Sequence, residues 1–85
     1  MDKGDVVYYT HILDDMGIYE CIRLTIKKVE EEYFTGVSDD KLHSYIFSKE
    51  VLNKLVFKNE DEAYKIVFNA SEGKEYKPIF MEDFQ

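Results

Sequence analysis

Three adjacent acidic pairs (Asp14 with Asp15, Asp39 with Asp40, Glu82 with Asp83), two histidines (His11 and His43) and one cysteine (Cys21) are the residues here whose types could do chemistry. Paired carboxylates hydrolyse sugars or phosphates when rigid elements hold them in a cleft. Two of these pairs fall in the turn-forming stretches DDMG and SDDK, and the third lies near the end of the sequence. Turn geometry and solubility account for them without a reaction. His11 and His43, with Asp14 or Asp39, would begin a metal site. Such a site needs three or four converging ligands, and nothing in the spacing brings these together. Cys21 has no sequence link to either histidine and reads as a small packing residue rather than a nucleophile. No glycine-rich run has the form of a phosphate loop or a dinucleotide fingerprint. The expectation is a protein that is not an enzyme, with no cofactor and no metal.

The densest acidic run, Glu60-Asp61-Glu62, has a structural explanation. Asn59 can accept from the backbone N–H of Glu62 while Glu62 reaches back to Asn59, which is a capping box. Negative charge in a first turn also suits the helix dipole. Ala63, Ile66, Val67 and Ala70 then recur at helical spacing, flanked by Tyr64 and Phe68 four apart. The spacing predicts one helix over Glu60 to Ala70, ended by Gly73.

The rest of the chain alternates with period two. Gly4 to Leu13 is predicted as a strand with Val6, Tyr8, Thr10 and Ile12 on one face and Val7, Tyr9, His11 and Leu13 on the other. After the turn DDMG, the run IYECIRLTIKKV (Ile18 to Val29) puts Ile18, Ile22, Leu24 and Ile26 on one face, interrupted by Glu20. Tyr19, Cys21, Arg23, Thr25, Lys27 and Val29 share its wetter face. Its length predicts a bent strand shared between two parts of a barrel. EEE turns into a strand Tyr33 to Val37, where Gly36 marks a bend or a close backbone approach. SDDK precedes a strand Leu42 to Phe47. Ser48 can cap a single helical turn before a short strand at Leu55 to Lys58. Glu75 to Phe80 reads as a last edge strand, because Pro78 cannot donate to a central ladder. One domain spanning 1–85 is predicted, since so short a chain leaves little room for a second core.

Eighteen acidic residues against eleven basic ones give a net charge of -7. That opposes direct binding to nucleic acid or to anionic lipid and suits a basic protein partner. The one adjacent basic pair, Lys27 with Lys28, is followed after Val29 by three glutamates. A lone cysteine, the lack of a basic start followed by an apolar run, and the lack of a long apolar stretch lead to an expectation of a cytoplasmic protein, not a membrane one. Seven tyrosines exceed what so small a core can bury. Exposed tyrosine favours protein interfaces, because the ring covers apolar area at low entropy cost. Tyr9, Tyr19, Tyr33 and Tyr45 are the protein-binding candidates, in a monomer or weak dimer.

The order GDVVYY, IYECIRLTIKKVEEEYFTGV, HSYIFSKE and LVFKNEDEAYKIV resembles small uncharacterised proteins of Firmicutes phages, prophages and mobile elements, over Gly4 to about Val67. The resemblance implies an SH3-like barrel and brings no catalytic residues. Where such proteins keep a basic residue near the helix alanine, this chain has Asp61 and Glu62 before Ala63. The expected fold is therefore mainly β: a small SH3-like antiparallel barrel of five or six strands with one short α-helix in the C-terminal half. The expected role is that of a non-enzymatic protein-binding accessory protein of phage or mobile-element origin, with an acidic, tyrosine-rich surface. Two alternatives stay open. One is a DNA mimic that inhibits a nucleic-acid-binding enzyme, and the other is a small structural subunit of a larger assembly.

Overall fold

Period-two alternation produces five strands, and the structure, a computed structural model, describes residues 1–72. The strands are β1 (Val6–Leu13), β2 (Ile18–Val29), β3 (Tyr33–Ser38), β4 (Ser44–Ser48) and β5 (Val56–Phe57), followed by the helix α1 (Glu60–Glu72). All strand neighbours pair antiparallel, in the order β4-β3-β2-β1-β5. The result is a compact, mainly-β domain: a five-stranded half-barrel with one C-terminal helix. Gly73, the predicted strand Glu75 to Phe80 and the residues after it lie outside the described residues.

β2 is shared between two halves, as its length predicts. Its first part pairs with β1 from Ile18 to Thr25, and its last part pairs with β3 from Leu24 to Val29. The turn before it is a single 3₁₀ turn, Asp14–Met16, closed by Gly17 at φ 68. That left-handed geometry is cheap only for glycine. A second 3₁₀ turn, Lys49–Val51, starts where the Ser48 hydroxyl accepts from the Glu50 N–H at 3.2 Å.

The pleat sends Val7, Leu24, Ile26, Phe34 and Val56 to one side, where they form the buried core. Tyr9, Ile22, Val29, Tyr45 and Phe47 pack around them. The sheet curls tightly over this side. β1 and β4 are three strand spacings apart, about 14 Å in a flat sheet. Yet the Tyr9 ring on β1 lies 4.9 Å from that of Phe47 on β4. Gly36 permits part of this curl: a Cβ there would sit 3.2 Å from the Leu24 Cβ.

The helix covers the opposite, outer side. It packs against β1, β2 and β5, and its buried Ala63 and Val67 are absent from the inner cluster. Phe57 is buried with it rather than in the inner core. Thr10, also on the outer face, is buried and ties β1 to the β5 segment, with its N–H and its hydroxyl both donating to the Leu55 carbonyl at 2.8 Å. Asn59 Oδ1 accepts from the Glu62 N–H at 3.0 Å, so the acidic run begins the helix as read.

Four local expectations need correction. Val29 belongs to the inner face, because the β2–β3 register shifts between Ile26 and Lys28. A bulge inserts one residue and flips every later side chain. Leu42 and His43 precede β4 instead of opening it; their loop is held by hydrogen bonds to Ser38 and Asp40. Ile66 is exposed, since only a narrow helical stripe meets the sheet. The strand expected at Leu55 to Lys58 shortens to two residues.

Replacing Phe34 by Ala is expected to cost about 3–5 kcal/mol in urea unfolding, whereas Leu42→Ala, at an exposed loop position, is expected to stay within about 0.5 kcal/mol. Removing the helix cap with Asn59→Ala is expected to cost about 1 kcal/mol, read as a lower unfolding midpoint with an unchanged slope.

Candidate functional site

The inner face changes character along β1 and β2. From Val7 to Tyr9 and from Ile22 to Ile26 it is apolar, and one step further toward the β1–β2 turn it carries His11 and Glu20. These two residues face each other across the ladder, and His11 Nδ1 donates to Glu20 Oε1 at 2.9 Å. The core ends there and an open cleft of about 690 Å³ begins. His11, Glu20 and Ile22 line it from the β1–β2 side; Ser38, Asp39, Asp40, His43 and Tyr45 line it from the β3–β4 side. Cys21 and Arg23 also reach it. The pleat puts their side chains on the outer face, so their contribution is the edge of β2 itself.

Aromatic rings run into this cleft from the core. The Tyr45 and Phe47 rings stack at 5.9 Å with planes 7° apart. Tyr9 sits against both and stacks on His11 at 5.5 Å. His43 continues the β4 row at 6.5 Å from Tyr45. Burial, and then the nearby Tyr45, push the Tyr9 hydroxyl above the ordinary tyrosine range, so it stays protonated. A ring packed on both sides has little rotamer freedom left to lose on binding.

The loop between β3 and β4 is equally constrained. The Asp40 carboxylate accepts from the Ser38 hydroxyl and from the Leu42 N–H. The Ser38 hydroxyl oxygen accepts in turn from the His43 N–H at 3.3 Å. Lys41 is held at φ 62, a left-handed position that a lysine adopts only when its surroundings impose it. His43 Nδ1 lies 3.9 Å from Asp40.

Of the four tyrosines singled out from the sequence, the structure brings Tyr9 and Tyr45 together, with ring centroids 5.5 Å apart. Tyr19 lies half-buried on the outer face, across from Ile12. Tyr33 opens β3 beside Lys28, whose amine it helps to hold protonated after the larger contribution of Glu30. The most exposed tyrosine with a described position is another one, Tyr64 on α1. His11, His43 and Asp39 share the cleft, while Asp14 does not line it. Among the described residues no three His, Cys, Asp or Glu side chains converge as metal ligands. The Cys21 thiol is pushed up by burial first and by Glu60 second, the opposite of nucleophile activation. Glu20 is the site residue that a close reading of the sequence could reach, as the one charge on an otherwise apolar face.

The bonds to Asp40 hold its carboxyl below the ordinary aspartate value of 3.8, with the Ser38 hydroxyl the largest cause and the Leu42 N–H next. Its ionised form therefore supports the folded loop above the unfolded-state value, and that support is lost as pH falls through the lowered one. An NMR titration of the Asp40 carboxyl carbon is expected to give a midpoint below 3.8, and Ser38→Ala is expected to move it upward. An unchanged midpoint in the variant would show that the hydroxyl does not hold the carboxylate.

Among the described residues no helix is long and apolar enough to cross a membrane. Compared with protein-family models, with curated proteins and with solved structures, the chain matches none.

Proposed function

We propose that this chain is a non-enzymatic binding protein that takes a basic segment of a protein partner into the cleft at the mouth of the half-barrel. The observation that carries the reading is one juxtaposition: the Tyr45 ring shares the cleft with the carboxylates of Glu20, Asp39 and Asp40, in a chain of net charge -7. A tyrosine face beside carboxylates suits a lysine or arginine head, through cation–π attraction and charge pairing together. The overall charge would steer a basic partner toward the site and repel nucleic acid. Tyr9 backs Tyr45 and presents it, without needing to touch the partner. The curl of five antiparallel strands over one small core supports the finer description of the fold as SH3-like. The order of motifs along the sequence supports an accessory role in a phage or mobile element.

Peptides selected from a random library on the purified chain are expected to be enriched in lysine and arginine. Their affinity is expected to fall about tenfold with Tyr45→Ala and to survive Tyr45→Phe and Tyr19→Ala. Raising ionic strength from about 0.05 to 0.5 M is expected to weaken binding further by shortening the screening length. Selection of acidic or neutral peptides, or indifference to Tyr45→Ala in a variant that still unfolds cooperatively, would defeat the reading.

A further inference from the structure

β2 is longer than the strand that covers it. β1 follows it from Ile18 to Thr25, but β3 pairs with it only from Leu24 onward. Beyond Leu24, toward the β1–β2 turn, the side of β2 that β3 would occupy has no strand among the described residues. The backbone groups on that side can be identified. Ile26 directs its N–H to Asp5 and its carbonyl accepts from Gly4, so it faces β1. The β1–β2 register runs without a shift from there, so Leu24, Ile22 and Glu20 face β1 as well. The residues between them face the other way. The same result comes from β1: Thr10 donates outward to Leu55, so Cys21 opposite it exchanges no bond with β1. Cys21 and Arg23 therefore point their N–H and C=O groups at the open edge, and both line the cleft.

We infer that the partner segment binds as an added β-strand, in line with β3, hydrogen-bonded to the backbone of Cys21 and Arg23. This rests on the reading of the cleft as a site for a basic protein segment and specifies how that segment is held. Strand addition takes its affinity from main-chain bonds and its specificity from alternate side chains. Here alternate residues of the added strand face the inner side, toward Tyr45, Glu20 and the loop carboxylates Asp39 and Asp40. The cations of the segment belong at those positions.

Charge also selects the occupant. An open strand edge is a template for any extended chain, including another copy of the same protein. A second copy would bring its own charge of -7 against this one, and would set Glu20 against the partner's acids. Three cleft carboxylates, with the Arg23 side chain turned to the outer face, favour a basic strand instead.

The test uses the full chain and the library-selected peptides, each also made with alternate backbone nitrogens methylated. Amide hydrogen exchange at Cys21 and Arg23 is expected to slow roughly tenfold or more on adding the unmodified peptide. The methylated peptide in the matching register is expected to lose binding, and Arg23→Pro, which removes an edge donor that β1 does not use, is expected to weaken it by a similar factor. Basic peptides that bind with unchanged exchange at Cys21 and Arg23, and that tolerate methylation, would overturn strand addition while leaving the binding function standing. Failure to select any basic peptide would overturn both. Protection of Cys21 and Arg23 without peptide, lost on truncation after residue 72, would also overturn the inference, by assigning the edge to the chain's own C-terminal segment.

Discussion

Tyr9 meets Phe47 and Tyr45 across the inner face of the sheet, and the enclosure of the inner core follows from the curl that this meeting requires. Strands that lie three places apart can bring rings into contact only if the sheet curls into a half-barrel. The curl is what encloses the five fully inner core residues found among the described residues. Phe34, Leu24, Ile26, Val7 and Val56 are enclosed because the sheet wraps around them, with no second sheet among the described residues. Gly36 is part of the same constraint, because a Cβ there would sit tightly, at 3.2 Å, against the Leu24 Cβ.

The outer face solves its problem differently. A curled sheet leaves its convex side exposed, and α1 covers only the part over β1, β2 and β5. Ala63 and Val67 give that contact, with Phe57 and Thr10 beneath or beside it, while Ile66, Tyr64 and Phe68 stay outside. The small size of Ala63 allows close approach, so a short helix seals the sheet with few side chains. The negative first turn of that helix is explained by its cap and dipole, and no further role has to be found for those acids.

Charge and curvature meet at one end of the barrel. The core face runs out at His11 and Glu20, and the curl brings the β3–β4 loop to the same place. A carboxylate chain gathered around a packed tyrosine is a different object from the same residues spread over a surface. In the proposed binding, the long-range field of the whole chain would bring a basic partner near, and the fixed ring and the open strand edge would then give it a geometry to match. For that proposed role the Ser38–Asp40–Leu42 bonds would matter, since a loop without them would have to be ordered at the moment of binding.

Local pattern determined much of this protein. The alternation of β2, the positive-φ glycine after DDM, the Ser48 and Asn59 caps and the start of α1 are short-range effects of side-chain direction and backbone bonding, and each can be read from a few neighbouring residues. The acids at Glu60, Asp61 and Glu62 were intelligible for that reason. The bulge at Lys27 was not, because a register shift shows only when two strands are laid side by side, and it moved Val29 to the core. Nor did spacing reveal that Leu42 and His43 belong to a hydrogen-bonded loop. The cleft is the clearest case. Glu20 stood out in sequence as a charge on an apolar face, but its neighbours Asp40, His43 and Tyr45 come from another hairpin. Only the tertiary structure decided that Tyr9 and Tyr45 would stand together while Tyr19 and Tyr33 would not. Which residues share a cleft depends on strand order and sheet curvature, and those are set by packing between segments far apart in the chain.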